Sequence, residues 1–185
     1  MDHDHDTDFV TIAAVYPALA GAEADYARIK SLYDDADMMD TFDAAVLTRT
    51  TDGNVEIVKK HEQPTRLGGW AGAGIGLAVG AIVALFPGAA FGAALLVGTG
   101  GGAVIGALAG HVTEGLDRKD LDELGELLDK GESGLIVVAA RDEAARMDGD
   151  FSHASEVMRK NLKADKQQIR ADIEAATALE AASAD

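Results

Sequence analysis

The chain contains no cysteine, which excludes disulfide bridges, thiolate metal sites and cysteine nucleophiles. Basic residues are scarce. Sixteen Lys and Arg face 32 Asp and Glu, for a formal net charge of −16. A surface carrying that field repels polyanions, which argues against general nucleic-acid binding. The first residues, MDHDHDTD, lack the positive and apolar regions of a secretory signal, so an unprocessed cytoplasmic start is expected. The phosphate-loop GK[ST], the zinc-binding HExxH and the nucleophile-elbow GxSxG are all missing. With no paired catalytic signature, no nucleophile–base set is proposed and the chain is read as non-enzymatic.

Charge itself is missing from one long stretch. Leu67–Gly110 is 44 residues without a single charged side chain, and each flank outside it carries a net −8. The mean hydropathy of +0.02 therefore averages two water-facing flanks with a neutral middle. At 185 residues the length suits one domain with an insertion.

In the flanks, Phe9–Pro17 and Leu135–Ala140 are apolar runs of strand length, and Leu19–Met39 has helical spacing. Ala44–Thr50 and Val55–Lys60 alternate around Asp52-Gly53, a dipeptide suited to a tight hairpin turn. Asp117–Lys130 places Leu121, Leu124, Leu127 and Leu128 on one helical side before Gly131. The expected fold is α+β: a ferredoxin-like βαββαβ domain over 9–66 and 111–140, behind an acidic tail at 1–8. Such a sheet has helices on one face only, so dimerisation or the insert is expected to cover the other. The region 141–185 is expected to hold a charged C-terminal helix from His153 to Ala182. Arg159, Lys163, Lys166 and Arg170 would form a basic stripe along it for lipid headgroups or an acidic partner. The plainer reading of that stripe is a solvated helix face.

The neutral insert, 67–110, falls between the third strand and the second helix of that core. Phe86-Pro87-Gly88 divides it into two segments of near-spanning length, with a proline–glycine tip. Its glycines recur every four residues: Gly68, Gly72, Gly76, Gly80, then Gly88 and Gly92, then Gly98, Gly102, Gly106 and Gly110. That spacing makes one bare helical stripe along which a second helix can approach to backbone contact, a glycine zipper. Each glycine costs an isolated helix about 1 kcal/mol relative to alanine, so close packing must offset the loss. Two surroundings fit. In lipid, Lys59, Lys60, Arg66, Arg118 and Lys119 would keep both ends cytoplasmic at a bacterial inner membrane. In a soluble cytoplasmic homo-oligomer the hairpins would fill the particle interior. The weak hydrophobicity of a segment with 26 Gly and Ala favours the second; the missing charge and Trp70 favour the first.

Two motifs have plainer explanations. Gly98-Thr99-Gly100-Gly101-Gly102-Ala103 satisfies G-x-G-x-x-A, with Asp122 at a suitable distance, but the zipper accounts for the same glycines. Met1-Asp2-His3, assisted by His5, has the donors to chelate Cu(II) or Ni(II), but an acidic tail needs no metal. His61, His111 and His153 are scattered in sequence. No metal, cofactor or small-molecule substrate is assigned.

The strand pair AAVLTRTTDGNVEIVK, the segment GGWAGAGIGLAVGAIVALFPGAAFGAALLVGTGGGAVIGALAGHV, the acidic helix and the strand GESGLIVVA occur in one order. Together they resemble a bacterial family of predicted membrane proteins, domain of unknown function 1269 type, over about Phe9–Ala140. The tail VMRKNLKADKQQIRADIEAA is similar to an actinobacterial-type subset. The resemblance implies the ferredoxin-like core with its insert, a membrane setting and, for some members, a link to stress responses. It implies no catalytic residues.

Overall fold

A computed structural model describes residues 6–35, 42–60, 77–91 and 102–183. In chain order the elements are β1 (Asp6–Tyr16), α1 (Leu19–Asp35), β2 (Phe42–Arg49), β3 (Val55–Lys60), α2 (Leu77–Leu85), β4 (Ala90–Phe91), α3 (Gly102–Gly115), α4 (Arg118–Leu128), β5 (Ser133–Ala140), α5 (Arg141–Arg146), β6 (Glu156–Asp165) and α6 (Lys166–Ser183). The fold is α+β. Five antiparallel strands are ordered β3-β2-β5-β1-β6, and the two-residue β4 lies parallel to β3 at one edge.

This order differs from the expected ferredoxin-like arrangement, in which the first and third strands are central. Here β2 and β5 flank the middle of the core. β1 and β2 run parallel with β5 between them, and β3 and β5 run parallel with β2 between them. The connectivity is thus still that of split βαβ units. The physical reason lies in β5, which is buried from Ser133 to Ala139 on both faces. A strand apolar at odd and even positions belongs where both faces are covered.

Both faces are in fact covered within one chain. Even positions of β1 (Val10, Ile12, Ala14, Tyr16) and the alternating partners Leu135, Val137 and Ala139 pack under α1 and the α5 region, against Tyr26, Ile29, Met147 and Phe151. Odd positions (Phe9, Ala13, Val15), with Ala45, Leu47, Ile136 and Val138, pack under α2, α3, α4 and α6. Leu124, Leu127 and Leu128 of α4 are wholly buried there, contributing about 1.5–3 kcal/mol each. The uncharged segment thus supplies the missing cover through its own helices, and dimerisation is not needed for it.

The β2–β3 turn forms at Asp52-Gly53 as expected. Gly53 takes φ 81°, and Gly53 N–H donates to Thr50 O at 2.9 Å. The expected C-terminal helix is corrected. Glu156–Asp165 is a strand along the outer edge of β1, and helix begins only at Lys166. Met158, Leu162 and Ala164 face the core from β6. A spacing of four from Met158 to Leu162 fits a helix and a strand equally, and Lys160 interrupts the apolar face at the position that would have marked period two.

Of the uncharged segment, residues 67–76 and 92–101 lie outside the described residues; in the described part helix α2 covers nine residues and Ala90–Phe91 is strand, where the expected second long helix would run. No helix among the described residues is long and apolar enough to cross a membrane.

Candidate functional site

Helices α2 and α3 pack against each other and against the sheet, and the contact is built around one glycine. A Cβ placed on Gly80 would lie 2.9 Å from the backbone carbon and Cβ of Leu108. Only a bare backbone allows α3 to come this close. Around it Leu77, Ala78, Val79, Ala81 and Ile82 are buried. Asp43, buried on β2, anchors the start of α2: its Oδ2 accepts the Ala78 N–H at 2.7 Å. A carboxylate at a helix N-terminus satisfies an orphan amide and complements the helix dipole. It also explains why an acid occupies an otherwise apolar strand.

The other zipper glycines divide into three groups. Gly88 sits in the exposed turn after α2, where an added Cβ would meet nothing within 4 Å, and Gly106 and Gly110 on α3 likewise face open space. Gly102 begins α3. Gly68, Gly72, Gly76, Gly92 and Gly98 lie outside the described residues, as do Trp70, Arg66 and the Met1–His5 chelate. Of the zipper glycines whose surroundings are described, Gly80 is engaged, and Gly106 and Gly110 form an open pair on α3.

The basic stripe is not one helical face. Arg159 and Lys163 lie on β6, while Lys166 and Arg170 belong to α6. Arg159 pairs with Asp148 at 2.8 Å and lies 5.8 Å above the Phe151 ring; Lys163 is exposed. On the opposite face of β6, Lys160 bonds Asp120 at 2.8 Å and also Glu123 of α4. These bonds hold the Lys160 ammonium above its ordinary value and the Glu123 carboxyl below its own. His111 Nε2 meets Asp172 Oδ2 at 2.9 Å, tying α3 to α6.

A polar cluster that the sequence did not reveal centres on Asp25 of α1, which is fully buried. Its carboxylate accepts the His153 backbone N–H at 2.9 Å, approaches His153 Nδ1 at 2.5 Å and accepts the Ser152 hydroxyl at 3.3 Å. The Tyr16 hydroxyl is buried beside it without closing a hydrogen bond. Burial first, and the neighbouring Asp25 charge second, keep that phenol protonated far above its ordinary range. Arg28, one turn along α1, reaches Asp150 at 3.3 Å. Together these contacts fasten the loop before β6 onto α1. With 128 positions between Asp25 and His153, no local spacing could have signalled the pair. Among the described residues, no group of three or more potential ligands could hold a metal ion.

A family model described as "Protein of unknown function (DUF1269)" matches residues 68–174. No curated protein and no solved structure matches the chain. The match begins in the uncharged segment and runs through β6 into α6, so it extends further toward the C-terminus than the resemblance read from the sequence and leaves out β1–β3. The shared unit is the α2–α3 pair, α4, β5, α5, β6 and the start of α6. With more than half its length inside that model, the chain belongs to this family of proteins of unknown function.

Proposed function

We propose that the chain is a non-enzymatic, self-associating protein whose glycine-spaced segment, read as a hairpin within the α+β core, is the association element. The observation that carries this reading is the contrast along the zipper. Gly80 is used for a backbone-level helix contact, while Gly106 and Gly110, at the same four-residue spacing, present a bare surface. A second copy approaching α3 there would meet no side chains to displace. The surrounding charge of −16 would keep such an assembly dispersed in water. Its partner is another copy of itself, in a cytoplasmic particle, with no nucleic acid and no cofactor involved.

Light scattering on the purified chain without detergent tests this: an oligomer is expected, and a strict monomer overturns it. A second reading places the segment at the bacterial inner membrane with both ends cytoplasmic, in a stress-related setting. The 44 uncharged residues favour it. Fractionation in the native host separates the two, since recovery wholly in the soluble fraction sinks the membrane version.

A further inference from the structure

A cleft of about 430 Å³ opens between the ends of α2 and α3 and the first turns of α4, lined by Ala84, Leu85, Thr113, Arg118, Leu121 and Asp122. Ala84, Leu85 and Leu121 give it an apolar wall. Arg118 and Asp122 stand four residues apart on the same side of α4, with Leu121 beside them. The neighbouring pair of the same spacing, Lys119 and Glu123, closes to 3.5 Å. Arg118 and Asp122 make no such pair with each other or with any other described residue. The cleft thus holds one cation and one anion that the fold leaves uncommitted.

Two further features orient it. The N-cap residue Asp117 makes no side-chain capping bond, so the first-turn amides of α4 leave their partial positive charge at the Arg118 end. The Thr113 hydroxyl donates to Ala109 O at 2.8 Å, which leaves its lone pairs free to accept. The i, i+4 spacing puts the two charged side chains about 5–6 Å apart at their roots, comparable to the separation of phosphate and ammonium across a two-carbon link. Asp117 and Asp120 lie close by on α4, and they oppose a purely anionic ligand.

We propose that this cleft binds a zwitterionic amphiphile of the phosphoethanolamine class, with phosphate at Arg118 and the α4 N-terminus, ammonium at Asp122, and an aliphatic tail along Ala84, Leu85 and Leu121. The head chemistry is common to a membrane lipid and to a free phosphoethanolamine ester. The proposal stands apart from self-association, because one is read from particle size and the other from ligand-induced shifts.

The test is amide NMR of the isotope-labelled full chain, titrated with dihexanoyl phosphatidylethanolamine, dihexanoyl phosphatidylglycerol and tailless O-phosphoethanolamine, each below its micelle concentration. Saturable shifts at Thr113, Arg118, Leu121 and Asp122 are expected with the ethanolamine lipid, and weaker ones with the glycerol lipid. Arg118→Gln should weaken ethanolamine-lipid binding at least tenfold. Asp122→Asn should erase the preference for ethanolamine over glycerol while leaving glycerol-lipid binding intact. Both side chains are exposed, so each variant should keep the parent spectrum elsewhere. Tighter binding of the tailed than of the tailless probe is expected, and equal binding of O-phosphoethanolamine would overturn the tail contact with Ala84, Leu85 and Leu121 and leave a free ester as the source of the head group. The proposal is overturned if no cleft amide shifts, if Arg118→Gln binds like the parent, or if the parent binds the glycerol lipid as tightly.

Discussion

Alanine at three zipper glycines should change stability unequally although the chemical change is the same. At Gly80 a new Cβ would meet the Leu108 backbone at 2.9 Å and its carbonyl oxygen at 3.0 Å. Backbone cannot rotate away as a side-chain tip can, so α2 and α3 must separate. Overpacking of this kind costs about 1–3 kcal/mol, against about 1 kcal/mol gained from alanine's better helix propensity. Gly80→Ala should therefore range from neutral to about 2 kcal/mol less stable. At Gly106 and Gly110 nothing within the chain lies within 4 Å, so at concentrations low enough to keep the chain monomeric the propensity gain of about 1 kcal/mol should survive. For a chain of this size that is about 2–4 °C in Tm per kcal/mol. Thermal and urea unfolding of the three variants, with unchanged urea slopes, would measure it. The reasoning fails if Gly80→Ala raises Tm as much as Gly106→Ala, because α2 and α3 would then not be in backbone contact.

Gly106→Leu should shrink the oligomer in light scattering while circular dichroism stays unchanged, whereas an unaltered particle would remove this face of α3 from the association surface. Asp43→Ala strips the cap from α2 and leaves the Ala78 amide unpaired; a loss of about 1–3 kcal/mol is expected in urea unfolding, and Asp43→Asn, which keeps an acceptor, should lose less. Asp25→Ala removes the acceptor of the His153 amide at the loop before β6, so hydrogen exchange should quicken there before the rest of the sheet; uniform exchange would refute the loop-fastening role. Tyr16 carries an alkaline signature. Its folded phenol titrates above the unfolded value of 10.0, so its contribution is complete below about pH 10 and is lost as pH rises above it. Tyr16→Phe should flatten that alkaline limb in pH-dependent unfolding.

What could be read from the chain depended on the range over which each signal acts. Alternation and the Asp-Gly turn mark β3 at Val55–Lys60, and leucine spacing marks α4, because turn chemistry and helical periodicity are local. β1 and β5 announced themselves as doubly apolar runs, but their neighbours did not. Whether β5 lies beside β2 is decided by which faces the rest of the chain covers, a relation spread over more than a hundred residues. β6 is hidden in the sequence for a different reason. Lys160 occupies a core-side position because Asp120 and Glu123 of α4 meet its ammonium. A buried lysine stem with its charge held at the rim looks, in one dimension, like a break in the apolar pattern.

The same distinction bears on the uncharged segment. Forty-four residues without charge suggest a bilayer if their environment is imagined as uniform. Yet α2 lies between a sheet face and two helices, where a charge would be as costly as in lipid unless paired. The nearest acid, Asp43, is tolerated because it caps the helix that covers it. Absence of charge therefore reports removal from water and does not identify what replaces the water. Glycine spacing carries the further information, since lipid does not require a bare backbone and a neighbouring helix does. At Gly80 that neighbour is α3 of the same chain. At Gly106 and Gly110 no described residue lies against the glycine, and it is on that bare surface that the proposed self-association rests.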